Sequence, residues 1–180
     1  MASPTAEPGG ELAGVPDCFQ RLWTPHRMVY IDSHHDGQAG PAACPFCVGG
    51  AKADDDALIV RRGQVAFVVL NLFPYNPGHL LVCPYRHVAD YTDLTPNEVA
   101  EVAELSRQAM TVLRRVSHPD GFNLGINQGG VAGAGVAAHF HQHVVPRWSG
   151  DANFFPIIAQ TKALPQVLGE TRRLLAEAWV

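Results

Sequence analysis

The order of apolar and polar positions predicts several short strands and two helices. Apolar, β-branched runs alternate with turn-forming stretches, and the first two runs are joined by Arg61-Arg62-Gly63-Gln64, a sequence typical of a hairpin turn. The predicted strands cover residues 58–60, 65–71, 79–84, 122–126 and 139–145. We expect Pro146 to close the last of them, because proline removes a ladder hydrogen bond.

The longest apolar periodicity is helical and begins at a strong start signal. Thr95, Pro96 and Glu98 form a capping-box sequence with proline at the first helical position. Apolar residues then recur every three or four positions: Val99, Val102, Ala103, Ala109, Met110, Leu113 and Val116. A second helix is predicted over 165–178, with Val167, Leu168, Thr171, Leu174, Leu175 and Ala178 on its buried face.

These elements indicate an α+β fold, with an antiparallel sheet of about five strands, one long helix and a C-terminal helix. Residues 1–16 are rich in Pro, Gly, Ala and acids, so we predict a disordered tail there. The remaining residues, 17–180, suit a single domain, because 180 residues are too few for two comfortable ones.

Composition narrows the setting of the protein. The net charge is −4, which argues against nonspecific binding to a nucleic-acid backbone but allows a small anionic ligand. No secretory signal and no apolar run of membrane-spanning length is present. We therefore predict a cytoplasmic protein whose four cysteines are thiols or metal ligands.

Chemistry is most strongly indicated by the sequence His-Phe-His-Gln-His-Val-Val at 139–145. If this segment is extended, His139, His141 and His143 form a row on one face. The opposite face then shows Phe140, Gln142 and Val144. Three imidazoles fill a core poorly, because each ring has nitrogens that need partners, so a reactive site is favoured over buried structural histidines.

A set of separate motifs accompanies this row in a fixed order. Pro77-Gly78-His79 opens the strand at 79–84, Asn127-Gln128-Gly129 opens a glycine-rich loop, and Pro146-Arg147 follows the histidines. Together they resemble the histidine-triad (HIT) family of nucleotidyl transferases and hydrolases. The segments 23–27 and 147–154 look more like a bacterial subgroup of diadenosine-tetraphosphate phosphorylases.

The resemblance implies cleavage of dinucleoside polyphosphates through a covalent nucleotidyl-histidine. A neutral imidazole is a competent nucleophile toward phosphorus, and the middle histidine is the best placed, so His141 is the predicted nucleophile. We expect its other ring nitrogen to donate to a carbonyl, and we expect His143 to donate to the phosphate or the departing oxygen. His139 completes the predicted catalytic set, and no redox cofactor is required.

The resemblance also assigns substrate contacts. Asn71 resembles the family's ribose-binding asparagine, although an asparagine that caps a turn is an equally good interpretation without the family. The loop at 127–135 provides Asn127, Gly133, Ala134 and Gly135 for phosphate, since glycines let backbone N–H groups converge on an anion. The chain departs from the family here: the loop is one residue longer than usual, and Gly135 replaces a Ser or Gln.

Cys44-Pro45-Phe46-Cys47 predicts a metal clamp, with a redox pair or inert thiols as alternatives. In family members with this pair, the remaining zinc ligands correspond here to His87 and His139. We therefore expect a structural zinc ion held by Cys44, Cys47, His87 and His139.

Several functional alternatives stay open at this level. Phosphate as acceptor gives a phosphorylase, whereas water gives a hydrolase, and the family's smallest members hydrolyse nucleoside phosphoramidates. Hexose-1-phosphate uridylyl transfer is disfavoured, because that group has Gln where His143 stands. A zinc-stabilised, nucleotide-binding adaptor without turnover is the alternative from another class. We expect no nucleic-acid or membrane partner, and the family implies a homodimer.

Overall fold

The computed structural model describes residues 41, 44–151 and 166–179. Within these residues, one antiparallel sheet has the strand order β1-β2-β3-β5-β4. The strands are β1 (Ile59–Arg62), β2 (Ala66–Leu70), β3 (Leu80–Pro84), β4 (Gly121–Ile126) and β5 (Gln142–Arg147), and the helices are α1 (Pro45–Gly50), α2 (Pro96–Ser117) and α3 (Leu168–Glu177). The predicted α+β class is confirmed. The predicted tail at 1–16 lies outside the described residues.

The two faces of the sheet carry different sets of side chains. Leu80 pairs with Val144, and both belong to the main core against α2 and α3. One residue along each strand, Leu81 pairs with His143 on the other face. That second face carries a smaller apolar cluster: Ile59, Phe67, Leu81 and Cys83. Strand alternation therefore separates the core from the side that presents the histidines.

Helix α2 begins as the sequence predicts. Thr95 caps it, and Thr95 and Glu98 exchange the hydrogen bonds of a capping box. Its buried face is shifted from the predicted one, because Ala103 is exposed whereas Leu105 and Val112 are buried. On the same face, Ser106 accepts a hydrogen bond of 2.6 Å from Gln142 Nε2. Gln142 lies between His141 and His143 with its side chain toward the helices, and this bond gives its amide a partner.

Helix α3 is shorter than predicted. It begins at Leu168, and Pro165 lies outside the described residues. Val167 was expected on the buried face but is 79% exposed, because it precedes the first helical turn. Thr171 and Leu175 are buried as expected.

The predicted strand at 139–145 is displaced by about three residues. His139 lies in a bend, and β5 starts only at Gln142. Pro146 does not close the strand, since it lies within β5 and pairs with Phe122. A proline is tolerated there because β3 begins opposite Val144, so that among the described residues Pro146 has a neighbouring strand on one side only. None of the described helices is sufficiently long and apolar to span a membrane.

Candidate active site

His141 is oriented by the main chain just before β5. Its Nδ1–H donates to the carbonyl oxygen of His139 at 2.8 Å, so its Nε2 carries the lone pair. This confirms the expected hydrogen bond to a carbonyl. Burial lowers the pKa of His141 below its ordinary value, since a charged ring loses hydration there. The result is a neutral imidazole with a nucleophilic nitrogen.

His143 is oriented by a second histidine, His79. The backbone N–H of Tyr75 donates to His79 Nδ1 at 3.0 Å, and a backbone amide only donates. His79 must then carry its proton on Nε2, which lies 2.9 Å from His143 Nδ1. His143 accepts at Nδ1 and keeps its own proton on Nε2. This chain of bonds makes the Nε2–H of His143 a donor.

That donor has no hydrogen-bond partner among the described residues, although it is buried. Burial lowers the pKa of His143 to about 4, and the neighbouring His141 adds a smaller repulsive effect. The ring of His143 lies 5.0 Å from that of His141, centroid to centroid. An unsatisfied donor beside a nucleophile is therefore available to an oxygen atom of a ligand.

His79 is the residue that sequence reasoning missed, because it was given no chemical role. It is 0% exposed and lies directly after the turn at Pro77-Gly78. A polar residue that opens an otherwise apolar strand was the available signal, yet its partner is 64 positions away in the chain. The contact becomes visible only once β3 and β5 pair.

Asn71 lies at the end of β2 and uses its amide locally. Its Oδ1 accepts from the backbone N–H of Phe73 at 3.0 Å, which is the turn-capping alternative. This bond turns Nδ2 toward His79 Nδ1, at 3.2 Å. Asn71 thus supports the His79–His143 pair, and its predicted contact with ribose stays a prediction.

The glycine-rich loop returns the chain from β4 to the histidines. Ile126 pairs with Gln142, so Asn127 follows directly at the histidine end of β5, away from Asn71. Gly129 and Gly133 have φ of +82° and +87°, a region that favours glycine. Ala134 and Gly135 continue the loop toward His139. Their predicted contact with phosphate stays a prediction.

A second set of polar side chains meets at the other end of the histidine row. The ligand-type atoms of Cys44, Cys47, His87 and His139 all lie within 4.8 Å of one another, which brings the predicted four together. His139 Nε2–H donates to the carbonyl of Pro84 at 2.9 Å, which leaves Nδ1 to face the two sulfurs at 3.4 and 3.5 Å. Such a backbone partner is the usual orienting contact of a metal-binding histidine.

Burial shifts the pKa values of two side chains in this cluster. Burial raises the pKa of the Cys47 thiol to about 11, and contact with Cys44 adds to the effect. Burial lowers the pKa of His139 to about 4. Both effects favour the neutral forms, a protonated thiol and an uncharged imidazole. A bound cation would instead favour the thiolate form of the cysteines. Two thiols and two imidazoles are a tetrahedral donor set.

Phe46 connects the cysteine segment to the histidines. Its ring lies 5.4 Å from that of His139 and 5.1 Å from that of His141. The residue sits on the short helix α1 between the two cysteines. Sequence reasoning assigned no role to Phe46, whose contacts depend on how the cysteine segment packs against the histidines.

A sheet with helices on one face and a buried triad of histidines on the other defines a histidine-triad protein. The family model described as the HIT domain matches residues 52–150, more than half of the chain, so the chain belongs to the HIT family.

Two curated relatives and one solved structure illustrate the similarity. The chain is 48% identical over 171 residues to a Mycobacterium tuberculosis protein named AP-4-A phosphorylase, covering 92% of this chain and 87% of that one. It is 37% identical over 93 residues to the Schizosaccharomyces pombe asymmetrical bis(5'-nucleosyl)-tetraphosphatase, covering 52% and 50%. The crystal structure of a zinc-bound histidine triad family protein from Mycobacterium smegmatis matches with a TM-score of 0.61 and 31% identity, covering 77% and 94%.

Proposed function

We propose that this protein cleaves dinucleoside polyphosphates, with diadenosine tetraphosphate as substrate and inorganic phosphate as acceptor. The observation that carries the proposal is the fixed pair of tautomers: a lone pair on His141 Nε2 beside an N–H on His143 Nε2 that has no partner within the described part of the chain. The similarity to the Mycobacterium tuberculosis AP-4-A phosphorylase supports the choice of substrate and acceptor.

The geometry suits a two-step displacement. His141 Nε2 attacks the α-phosphorus, an N–P bond forms, the P–O bond to the β-phosphate breaks, and ATP leaves. His143 Nε2–H donates to the departing oxygen, while the N–H groups of the loop at 127–135 and the Asn127 amide hold the remaining phosphate oxygens. A phosphate oxygen then attacks the adenylyl group, which gives ADP and restores His141.

The decisive experiment incubates the protein with diadenosine tetraphosphate, with and without phosphate, and identifies the nucleotide products. ADP plus ATP that appear only with phosphate are expected. The variant His141→Ala should lose turnover by at least about a thousandfold while it still folds and binds nucleotide. Full activity of that variant would contradict the mechanism.

The same experiment distinguishes the alternatives. AMP plus ATP without phosphate would indicate a hydrolase, the activity named for the Schizosaccharomyces pombe relative. A protein that leaves diadenosine tetraphosphate intact but cleaves a nucleoside phosphoramidate in a parallel incubation would be a phosphoramidate hydrolase. Nucleotide binding without any product would indicate an adaptor. A cytoplasmic location and the absence of nucleic-acid or membrane partners stay predictions of the sequence.

We further propose that Cys44, Cys47, His87 and His139 hold a structural zinc ion. The tetrahedral donor set and the hydrogen bond from His139 to Pro84 support this assignment. The zinc-bound relative from Mycobacterium smegmatis agrees with it. When bound, the ion would link α1, the segment after β3 and the segment before β5. The two cysteine thiolates would balance its charge.

A homodimer is the assembly we propose. Strand β4 is at an edge of the sheet, and its apolar residues Leu124 and Ile126 are 52% and 37% exposed. An exposed edge with apolar side chains favours pairing with a second copy. Light scattering should give twice the mass of the chain, and Leu124→Lys should lower it to that of a monomer. A monomeric wild type would contradict the proposal.

A further inference from the structure

Asp151 accepts four hydrogen bonds just beyond the end of β5. Its Oδ2 receives Asn76 Nδ2 at 2.7 Å, Arg147 Nε at 2.6 Å and the backbone N–H of Trp148 at 3.1 Å. Its Oδ1 receives Arg147 Nη2 at 2.9 Å. The side chain is 11% exposed, although it belongs to a surface loop. A carboxylate with this many donors is held firmly in one position.

The contact with Asn76 leads toward the active site. Asn76 donates its second amide hydrogen to the carbonyl of Pro146 at 3.0 Å, so both hydrogens are used. Its own carbonyl accepts from the backbone N–H of His79 at 3.1 Å, which closes a turn. In that turn Gly78 has a φ of +76°, and a Cβ there would lie 3.1 Å from Leu113. The turn is therefore fixed from both sides.

This turn lies within the segment that determines the tautomer of His79. The backbone N–H of Tyr75 precedes Asn76 directly and is the donor to His79 Nδ1. A shift of Asn76 would move that N–H away and leave Asn71 Nδ2, at 3.2 Å, as a weaker support for the proton-free Nδ1 of His79. In a fraction of the molecules His143 would then present a lone pair, in place of an N–H, to the departing oxygen.

We propose that Asp151, acting through Asn76, is a positioning residue that fixes the tautomers of His79 and His143. This inference rests on the proposed function, in which His143 donates to the leaving group. Asp151 lies one residue past the HIT-domain match at 52–150, so the family model does not include it.

The test compares two variants with a matched control. Asp151→Asn places an amide donor against the donors of Asn76 and Arg147. Asn76→Ala removes the side-chain bonds to Asp151 and to the Pro146 carbonyl but keeps the backbone bond of the turn. The control is Asp120→Asn, because Asp120 accepts the backbone N–H of Ser149 at 2.7 Å in the same loop without contacting Asn76. If Asp151→Asn fails to fold, Asn76→Ala still tests the link.

Two measurements are made on each protein. Ring ¹⁵N NMR spectra report the tautomers, and both His79 and His143 should carry the proton on Nε2 in the wild type and in Asp120→Asn. Asp151→Asn and Asn76→Ala should show a mixture at His143, and kcat for diadenosine tetraphosphate should fall on the order of tenfold with KM within about twofold.

Wild-type ring spectra and wild-type kcat in folded Asn76→Ala would overturn the proposal and leave Asp151 a purely structural residue. A wild type that does not cleave diadenosine tetraphosphate would instead overturn the proposed function. In that case the ring spectra still decide whether Asp151 fixes the tautomers.

Discussion

The tautomers of His79, His139 and His141 each follow from contact with a backbone group, and His79 in turn determines that of His143. Carbonyl oxygens accept from His139 and His141, at Pro84 and His139 respectively. A backbone N–H donates to His79 and so reverses the order of its two nitrogens. Because a main-chain N–H only donates and a main-chain carbonyl only accepts, each assignment holds as long as the main chain stays in place.

The depressed pKa of His143 predicts acid sensitivity. Its folded-state pKa is about 4, below the ordinary value of 6.5, so the unfolded chain binds a proton in this range that the native protein does not. Stability should therefore fall as the pH drops from 6.5 to 4, by up to about 3 kcal/mol from this group. Urea unfolding at several pH values should show a shallower fall in His143→Gln, and equal slopes would contradict the prediction.

The sequence was sufficient to find the residue types of the site but only some of their contacts. The histidine row and the cysteine pair are local patterns that the sequence shows directly. The resemblance to the family then predicted correctly that Cys44, Cys47, His87 and His139 come together. The pairing of His79 with His143 depends on how two strands meet, so no local pattern revealed it. The catalytic and nucleotide-binding roles stay predictions.

At the level of elements, Glu101 on α2 holds the hairpin between β1 and β2. Its carboxylate accepts the backbone N–H groups of Gln64, Val65 and Ala66. Glu101→Ala would leave these donors without their partner, so we expect a loss of about 1–3 kcal/mol in the free energy of unfolding. Denaturant unfolding measures it directly.

Glu104 provides the matched control on the same helix. It pairs with Arg107 in solvent, where such pairs contribute little, so Glu104→Ala should lower stability much less than Glu101→Ala. Equal losses in the two variants would show that removal of any glutamate from this helix, and not loss of the bonds to the turn, determines the effect.

Elements were predicted well where their signals are local. The capping box at Thr95 and Glu98 involves neighbours three residues apart, and α2 starts where it was expected. The start of β5 was wrong because tertiary contacts bend the chain before it. His139 donates to Pro84, and Phe140 N–H donates to the carbonyl of Val88 at 2.6 Å. Those contacts override the alternating pattern.

For the whole molecule, the proposed metal centre joins segments that are far apart in the chain. His139 lies 95 positions from Cys44, and the described residues form a small apolar cluster on the face of the sheet that carries the histidines. Arg62 of β1 also holds the cysteine segment to the sheet. It donates to the carbonyls of Gly50 and Lys52 at 2.7 Å, at and just after the end of α1. A crosslink of this span should stabilise the native state.

Removal of the metal should therefore weaken both the fold and the site. Protein purified without chelator should contain about one zinc per chain by elemental analysis. Chelation, or the variant Cys47→Ser, should lower the Tm by several degrees and reduce turnover. Cys18→Ser should retain both metal and Tm, since Cys18 is outside the proposed ligand set. Absence of zinc from the wild type would contradict the assignment.

The position of Phe46 has a consequence for anyone who wishes to redesign this protein. Its aromatic ring packs against both His141 and His139, so a single short segment contributes to two sites. Grafting a different metal loop between residues 44 and 47 would also reshape the support of the nucleophile. The segment and the histidines would have to be exchanged together, as one module.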